Sequence, residues 1–377
     1  MKIPLTIPYM DSSEEKAVVQ ALRSGWIAQG PQVALLEKTV EEYTKTLHAV
    51  ATSSATTALY LSLLLLGIKK GDEVIVPSFT FIATANMVMQ AGAIPVFVDI
   101  DYGTLNIDLA LIEEKITKKT RAIIPVDYGG IPCDIDAINK IAKKYNISVI
   151  EDAAAALGST YKGKKIGQLS ELTCFSFHAR KIVTTGEGGM ITTNNKIYAD
   201  DAKILRHHGM SVSDVIRHNA KTVIHENYPK VGYNFRMSDI EAAVGVAQME
   251  KIDTIIKLRT KLANRYSNAF KNNHLIEIPV IIDNTTTNWQ SYIIKLRRNK
   301  NISRDGLMQK LLDDGIATRR GAMAIHKEDA YKDIVGKLKL PITEEACDQT
   351  ITLPLYPQMT DIEQEYVIEA VLKYTKF

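Results

Sequence analysis

Two residues with matched chemistry stand at the ends of two apolar segments. Asp152 closes the segment Ser148–Glu151, and Lys181 follows a second apolar segment, Thr173–Phe177. A lysine amine can form an imine with an aldehyde, and a carboxylate can pair with a protonated pyridine nitrogen. These are the two protein groups that a pyridoxal cofactor needs. The pair therefore predicts a site for pyridoxal 5′-phosphate, with Lys181 and Asp152 as its catalytic residues.

Each of these features has an ordinary structural explanation when it is taken alone. Asp152 is a suitable N-cap for a helix that begins at Ala153, and most lysines in the position of Lys181 are solvated. The glycines of Thr184–Gly189, which reads TTGEGG, are typical of a hairpin turn. Their occurrence together in one short stretch favours the cofactor site.

A second group of residues is suited to binding a phosphate. Ser53–Thr57 (SSATT) follows a short predicted strand at Ala49–Thr52 and opens the apolar helix that contains Leu59–Leu66. The free N–H groups and the positive dipole at the start of a helix attract anions, and hydroxyl groups add donors. The same residues would also serve as a plain Ser/Thr N-cap, so this motif alone leaves both interpretations open.

Short β-branched segments alternate with helical segments through the first two thirds of the chain. The predicted strands are Glu73–Pro77, Pro95–Asp99, Arg121–Val126, Ser148–Glu151, Thr173–Phe177 and Met190–Thr193. The predicted helices among them are Thr56–Leu66, Ala83–Ala91, Leu109–Ile116 and Asp134–Tyr145. This alternation indicates a parallel or mixed sheet covered by helices on both faces. Ligands bind at the carboxyl ends of the strands in such sheets, which is where Asp152 lies.

The sequence pattern changes near residue 245. The later predicted elements are a charged helix over Met249–Phe270, a strand over Ser291–Leu296, a helix over Arg304–Asp313 and a capped last helix that ends near Tyr374. We therefore predict a large α/β domain over residues 1–245 and a smaller α+β domain over residues 246–377.

The composition excludes several classes of protein. The 377 residues include 46 Lys and Arg and 43 Asp and Glu, and the resulting net charge of +3 is too small to indicate a nucleic-acid surface. The three cysteines have no paired or metal-ligand spacing, which is typical of a reducing cytoplasm. No apolar run approaches the ~18 residues that a membrane span needs, and no signal-peptide pattern is present. We expect a cytoplasmic protein that binds neither nucleic acid nor membrane.

Several motifs resemble those of the DegT/DnrJ/StrS family of nucleotide-sugar aminotransferases. They are Gly25–Ile27 with Gly30 and Pro31, Val76–Phe81, Glu151–Ala154, Ser176–Lys181, Thr184–Gly189, Gly232–Met237 and Leu353–Pro357. The resemblance extends over nearly the whole chain. It implies a pyridoxal-phosphate enzyme of fold type I, with a large mixed-sheet α/β domain and a smaller C-terminal α+β domain. Such enzymes are usually homodimers with two shared active sites.

The resemblance assigns roles to residues around the cofactor. Lys181 would hold pyridoxal 5′-phosphate as a Schiff base, and Asp152 would pair with the ring nitrogen. Phe81 matches the aromatic residue that stacks on the ring. Ala55 and Thr56 match the phosphate-binding turn, so the resemblance favours the phosphate interpretation of that motif.

Further residues match the family's remaining contacts. Ser176 would also contact the phosphate, and Asn234 would reach it from the partner subunit. Tyr9, Trp26 and His326 are the predicted substrate-binding residues, although His326 could equally be a surface histidine. No metal site is expected, because the adjacent histidines His207 and His208 lack further ligands at a suitable spacing.

Two positions depart from the family pattern. Ala155 stands where many relatives carry a polar residue near the ring oxygen of the cofactor, so a water molecule or another residue would have to replace that group. Asp127 begins the segment Asp127–Gly129 in place of a more common His-Leu-Tyr-Gly, so the family's substrate contacts at this segment do not carry over. Neither departure affects Lys181 or Asp152.

The resemblance implies an aminotransferase that moves an amino group from glutamate to a nucleotide-linked keto-sugar, in particular a 4-keto-6-deoxy sugar. The product would be an amino-sugar nucleotide for surface polysaccharide or glycan biosynthesis. Lys181 would move the proton as general base and acid. The alternatives are a sugar 3-dehydratase, in which a histidine typically replaces the lysine, another fold-type I reaction, and a pyridoxal-binding regulatory protein without turnover. The retained Lys181 disfavours the dehydratase, and the sugar-family motifs disfavour another fold-type I reaction. The absence of a DNA-binding appendage disfavours the regulatory protein.

Overall fold

The computed structural model describes residues 1–212, 214–218 and 220–376. Its largest unit is a seven-stranded sheet. The strands are β1 (His48–Thr52), β2 (Glu73–Pro77), β3 (Ile94–Val98), β4 (Thr120–Ile123), β5 (Ser148–Asp152), β6 (Leu172–Ser176) and β7 (Gly189–Thr193). Their order across the sheet is β1-β7-β6-β5-β4-β2-β3. Strand β7 pairs antiparallel with both neighbours, whereas the other pairs are parallel. The predicted mixed-sheet fold of type I is therefore confirmed.

Helices cover both faces of this sheet and continue into the C-terminal part. The α-helices are α1 (Ser12–Ser24), α2 (Pro31–Thr44), α3 (Ala55–Leu65), α4 (Ala83–Gln90), α5 (Ile135–Tyr145), α6 (Lys196–Leu205), α7 (Asp214–His218), α8 (Asp239–Met249), α9 (Ile252–Phe270), α10 (Arg304–Asp313), α11 (Asp329–Val335), α12 (Pro341–Gln349) and α13 (Asp361–Tyr374). None of the helices in the described ranges is both long and apolar enough to span a membrane.

The strands are buried because alternate side chains enter two separate cores. Along β2, Ile75 belongs to the core that includes residues of α2, α5 and α9, while Val74 and Val76 belong to the core with α3, α4 and α6. Strand β5 does the same with Val149 and Ile150. Side chains on a strand point alternately to its two faces, so near-continuous apolar strands require helices on both sides.

A second sheet lies in the C-terminal part of the chain. Its strands are β8 (Ile276–Glu277), β9 (Tyr292–Leu296), β10 (Arg319–Arg320) and β11 (Thr350–Leu353), which pair antiparallel in the order β8-β9-β11-β10. The N-terminus also belongs to this unit. Ile3 is fully buried in the same core, and its N–H donates to the carbonyl of Gly315 at 2.8 Å. The first residues therefore pack with the C-terminal unit, and the division of the chain at residue 245 stays a prediction.

Short elements complete the fold. They are the two-residue strands Phe79–Thr80, Thr160–Tyr161, Lys164–Lys165, Thr285–Thr286 and Met323–Ala324 and the 3₁₀ helices Leu109–Leu111, Glu113–Lys115, Tyr128–Gly130 and Ile325–Lys327. Phe79–Thr80 pairs with Met323–Ala324, so the segment that leads to Phe81 contacts the C-terminal part of the chain.

The six predicted strands are confirmed, with ends that differ by at most three residues. The helix predicted over Leu109–Ile116 is wrong, because this segment forms two separate 3₁₀ turns, the first capped by the side chain of Asp108. The helix predicted over Met249–Phe270 begins later, at Ile252. The chain turns between α8 and α9, where the Lys251 side chain pairs with Asp11 at 3.2 Å.

Candidate active site

Asp152 lies at the carboxyl end of β5, and its side chain is held by two hydrogen bonds. Thr84 in α4 donates its hydroxyl to Oδ2 at 2.7 Å, and the Ala154 N–H donates to Oδ1 at 3.2 Å. The residue is only 5% exposed, and burial raises the pKa of Asp152, against the effect of these two donors and of the charge of Lys181. A buried carboxylate of this kind can bind a cationic ring nitrogen that replaces the lost solvation.

Lys181 lies in the loop after β6, close enough to Asp152 for their charges to interact. Its N–H donates to the carbonyl of His178 at 2.8 Å, which starts a tight turn. Removal from water lowers the pKa of Lys181 to about 8, the charge of Asp152 opposes this change, and the positive charges of Arg180 and Arg319 add to it. A lysine with a lowered pKa supplies more neutral amine near neutral pH, which both imine formation and proton transfer require.

The backbone on both sides of Lys181 is held by one side chain from the C-terminal part. The Gln290 Oε1 atom accepts from the N–H of Ile182 at 3.0 Å, and Nε2 donates to the carbonyl of Arg180 at 2.7 Å. Gln290 itself is fixed because Asn288 Oδ1 accepts its N–H at 2.8 Å. The Lys181 loop is therefore positioned by a segment that is distant in sequence.

The start of α3 has the geometry of an anion site. The hydroxyl of Ser54 accepts from the N–H of Thr57 at 3.1 Å, and the hydroxyl of Thr57 accepts from the N–H of Ser54 at 3.1 Å. This capping box leaves the preceding N–H groups, those of Ala55 and Thr56, at the open end of the helix. Such a helix end binds phosphate readily. An added Cβ at Gly189 would lie 2.3 Å from the Ser54 carbonyl carbon, so β7 supports this turn through a backbone contact that only glycine allows.

Two further predicted cofactor residues, Phe81 and Ser176, lie next to α4 and at the end of β6. Phe81 lies two residues before α4, and its side chain is 58% exposed. The N–H of Thr84, the residue that donates to Asp152, donates to the Phe81 carbonyl at 3.3 Å. Ser176 ends β6, and its hydroxyl accepts from the N–H of His178 at 3.3 Å. An exposed aromatic ring coupled to Asp152 through one helical turn can stack on a flat ligand.

Asn234 lies in a segment that is hydrogen-bonded to the residues just before α3. Its neighbour Phe235 accepts from the N–H of Ser53 at 2.8 Å and donates to the carbonyl of Arg206 at 3.0 Å. The Asn234 side chain is exposed. Its predicted role in the site of a partner subunit stays a prediction.

The three predicted substrate residues have very different surroundings. Trp26 lines an open cleft of about 460 Å³ and contacts His218 edge to face, with ring centroids 5.0 Å apart. Tyr9 is half-buried, its carbonyl accepts from Gln248 at 2.6 Å, and the Lys251 ammonium lies 5.6 Å from its ring centroid. Their substrate contacts stay predictions.

His326 is not a surface residue, and that alternative is wrong. It is 3% exposed, Nδ1 lies 2.8 Å from the hydroxyl of Ser78, and Nε2 lies 3.3 Å from the carboxylate of Glu344. Burial lowers the pKa of His326, although Glu344 opposes this. Both ring nitrogens are engaged within the protein, so its substrate contact stays a prediction that this arrangement does not support.

The sequence did not point to four residues of the site. Thr84 and Gln290 hold Asp152 and the Lys181 loop, and Arg180 and Arg319 place positive charge beside Lys181. Arg180 could have been considered, because it directly precedes the lysine. Thr84 lies three residues after the Val76–Phe81 motif, whereas Gln290 and Arg319 come from segments remote from the motifs. Only the folded chain brings these three residues to Asp152 and Lys181.

Comparison with known proteins identifies the family of the chain. The model of the DegT/DnrJ/EryC1/StrS aminotransferase family matches residues 8–372. The chain belongs to this family. Its relative SpsC of Bacillus subtilis, a spore coat polysaccharide biosynthesis protein, is 37% identical over 99% of this chain and 97% of SpsC.

Two solved structures extend this comparison to the cofactor. The PLP form of Spr1654 from Streptococcus pneumoniae, described as a sugar aminotransferase, is 32% identical, covers 100% of this chain and 99% of its own, and gives a TM-score of 0.92. PseC of Helicobacter pylori, an aminotransferase of pseudoaminic acid biosynthesis, is 28% identical with a TM-score of 0.92 and covers 100% of this chain and 99% of its own. The chain is thus a sugar aminotransferase that depends on pyridoxal 5′-phosphate.

The residues present in this sugar aminotransferase fit that cofactor. Asp152 offers a buried carboxylate for the ring nitrogen, Lys181 an amine of lowered pKa, and Phe81 an exposed ring. The open N–H groups of Ala55 and Thr56 suit the phosphate. The ring nitrogen, the aldehyde, the ring face and the phosphate of pyridoxal phosphate therefore each have a complementary group.

The two departures from the family pattern have different outcomes. The carbonyl of Ala155 accepts from the Asn288 side chain at 2.8 Å, and its methyl side chain supplies no polar group. Asp127 is fully buried, and its Oδ1 atom accepts from the N–H of Cys133 at 2.9 Å. Asp127 is therefore a residue of the interior, and its side chain presents no surface to solvent.

Proposed function

We propose that this enzyme transfers the amino group of glutamate to a nucleotide-linked keto-sugar, in particular a 4-keto-6-deoxy sugar. The product is an amino-sugar nucleotide for surface polysaccharide or glycan biosynthesis. The three cysteines are free thiols, which suits a reducing compartment, and we place the reaction in the cytoplasm.

The observation that carries this proposal is the positive charge around Lys181. The exposed guanidinium groups of Arg180 and Arg319 both act on its amine. Neither forms an ion pair with a carboxylate within the described ranges, whereas the neighbouring Arg320 lies 4.0 Å from Glu328. Guanidinium groups bind carboxylates and phosphates in bidentate fashion. A donor with two carboxylates and an acceptor with a diphosphate are the two anionic substrates of the proposed reaction.

Lys181 would carry the proton in both halves of the reaction. Pyridoxal phosphate, when bound, stores the amino group between the two halves and withdraws electrons from the carbon that loses its proton. The Nζ atom of Lys181 takes a proton from the donor carbon and later gives one to the sugar carbon that receives the amino group. Asp152 keeps the ring nitrogen charged, because losing that partner would leave its own charge buried and unpaired.

We further propose a homodimer with shared active sites, in which Asn234 completes the phosphate site of the partner. The segment before Asn234 exposes large apolar side chains, with Val223 85% and Val231 91% exposed. Clustered exposed apolar residues are typical of protein–protein interfaces. The side chain of Asn234 is exposed, which leaves it available for a contact with a second subunit.

The proposal is tested by incubating the purified enzyme with glutamate and a panel of nucleotide-linked 3-keto and 4-keto sugars. We expect a product with the mass of an amino-sugar nucleotide and equimolar 2-oxoglutarate, and no product with Lys181→Ala. Loss of the sugar 3-hydroxyl without gain of nitrogen would instead identify a dehydratase. Amination from other donors but not from glutamate would contradict the choice of donor.

A further inference from the structure

Two carboxyl groups lie in the interior beneath Asp152. Glu151 precedes it on β5, and Asp127 lies alongside, and both side chains are completely buried. Asp127 Oδ1 accepts from the N–H of Cys133 at 2.9 Å. Glu151 Oε2 accepts from the hydroxyls of Ser170 at 2.8 Å and Thr173 at 3.1 Å.

One oxygen of each carboxyl group has no such donor. These are Asp127 Oδ2 and Glu151 Oε1. The two carboxyl groups lie within hydrogen-bonding reach of each other. Because the other oxygen of each group already accepts from a donor, Asp127 Oδ2 and Glu151 Oε1 are the atoms available for a hydrogen bond between them. Two ionised carboxylates offer only acceptors, so neither could satisfy the other. A single proton between them would satisfy both.

The charge balance leads to the same conclusion. Neither carboxyl group forms an ion pair with Lys, Arg or His in the described part of the chain. The other titratable groups that interact with the two are the thiols of Cys133 and Cys174. Burial raises the pKa of Asp127 well above its ordinary value, and the charge of Glu151 adds to this. Two negative charges this close in a dry site cannot both persist.

We propose that Asp127 and Glu151 hold one proton between Asp127 Oδ2 and Glu151 Oε1, and that this acid pair is the support that positions Asp152. The N–H of Asp127 donates to the carbonyl of Asp152 at 3.1 Å, and the N–H of Asp152 donates to the carbonyl of Pro125 at 2.9 Å. These backbone hydrogen bonds join the strand end at Asp152 to the segment that carries Asp127, so a change in the acid pair is transmitted to Asp152 through them. The pair also leaves Asp152 as the carboxylate that faces the cofactor.

Infrared spectroscopy of the holoenzyme at neutral pH tests the shared proton directly. We expect the carbonyl stretching band of a protonated carboxyl group in the wild type, and its loss in both Asp127→Asn and Glu151→Gln. Either amide supplies N–H donors in place of the proton, so both variants should remain folded. Asp152→Asn is the matched control and should keep the band. A band that persists in either amide variant would overturn the proposal.

The pH dependence of unfolding gives a second test, with cofactor and protein concentration held constant. The folded state keeps a proton that the unfolded carboxyls release, so stability is present below the ordinary carboxyl pKa and is lost as pH rises toward the raised pKa of the pair. In that window the extra proton should make the folding equilibrium constant of the wild type fall by about a factor of ten for each pH unit. Asp127→Asn lacks this proton, so its equilibrium constant should not show this additional fall. Equal slopes for the two proteins would contradict a shared proton.

The positioning role is tested by comparing Asp127→Asn with Asp127→Leu, which leaves Glu151 Oε1 and the Cys133 N–H without partners. We expect the affinity for added pyridoxal phosphate and the absorption spectrum of the bound cofactor to be unchanged in Asp127→Asn and altered in Asp127→Leu. Wild-type values in a folded Asp127→Leu protein would remove the positioning role. If that variant does not fold, Glu151→Ala is measured in its place with the same criteria.

Discussion

The side chain of Gln290 bonds the backbone on both sides of Lys181, accepting from Ile182 at 3.0 Å and donating to Arg180 at 2.7 Å. Such a two-point contact restricts both position and rotation of the turn that presents the lysine. Gln290 lies 108 residues after Ile182, so the C-terminal part of the chain sets the geometry of a loop in the large sheet.

Replacing Gln290 with alanine should slow the reaction without unfolding the protein. Loss of two hydrogen bonds should cost about 1–3 kcal/mol of stability, and a misplacement of the lysine by about 1 Å can cost ~100-fold in rate. We expect kcat to fall more than KM changes, measured by steady-state kinetics beside thermal denaturation. The exposed Gln309, which bonds Asp313, is the matched control. A Gln290→Ala enzyme with wild-type kcat would show that the contact is dispensable.

The ionisation of Lys181 should respond to its neighbours in opposite directions. In the cofactor-free protein, acylation of Lys181 should have a midpoint near pH 8, since burial lowers its pKa to about 8. Asp152 raises this pKa, so Asp152→Asn should shift the midpoint down, and Arg319 lowers it, so Arg319→Ala should shift the midpoint up. Peptide mass spectrometry at a series of pH values measures both shifts. Arg320→Ala should leave the midpoint unchanged, and shifts of the reverse sign would refute this electrostatic account.

Arg319 should contribute to substrate affinity, whereas Arg320 should not. A bidentate guanidinium contact to an anion is worth about 1.5–3 kcal/mol, so Arg319→Ala should raise KM for the anionic substrate by roughly 10- to 100-fold. Arg320 follows it on β10 and already lies 4.0 Å from Glu328, which makes Arg320→Ala the control. Separate KM values for glutamate and for the sugar nucleotide would show which substrate Arg319 binds. Equal KM values for both variants and the wild type would rule out the contact.

Gly189→Ala should weaken the phosphate turn specifically. The new Cβ would lie 2.3 Å from the Ser54 carbonyl carbon and 2.5 Å from the Ala55 nitrogen, and overpacking of this kind costs about 1–3 kcal/mol. Affinity for pyridoxal phosphate, measured by fluorescence titration, should fall along with stability. Gly306→Ala in α10, whose Cβ would have only the Ser303 hydroxyl within 3.2 Å, should not lower either quantity. Unchanged cofactor affinity in Gly189→Ala would contradict the backbone-contact argument.

Shared sites can be tested by mixing two inactive variants. A dimer of one Lys181→Ala subunit and one Asn234→Ala subunit has one site with both native residues if Asn234 acts across the interface. We therefore expect activity to reappear after co-refolding, at up to about half of the wild-type value per mixed dimer. If Asn234 acted within its own chain, every site would lack one residue and no activity would return. Size-exclusion chromatography confirms that the mixed dimers have formed.

The parts of the site that the sequence predicted are those carried by contiguous motifs. Asp152, Lys181 and the start of α3 each lie at the end of a strand or helix whose apolar pattern is visible in the sequence. Gln290 could not be recognised, because its role depends on a contact that forms only after two distant segments pack together. Asp127 was considered in relation to the substrate, since no local pattern shows that its partner is the buried Glu151.

The helix predicted over Leu109–Ile116 shows a further limit. Its apolar spacing suits a helix, but the segment forms two 3₁₀ turns, and tertiary packing decides such short segments more than propensity does.

The docking of Ile3 between residues of the C-terminal unit has a consequence for biosynthesis. The backbone partners of Ile3 are Gly315 and Ala317, so the segment around Ile3 has no place to dock until translation has passed these two residues. The segment around Ile3 must therefore remain unpaired while the intervening chain is synthesised, and it docks only after the C-terminal unit has formed its partners. A chain that stops before these partners would leave its own beginning without a binding place and open to proteolysis.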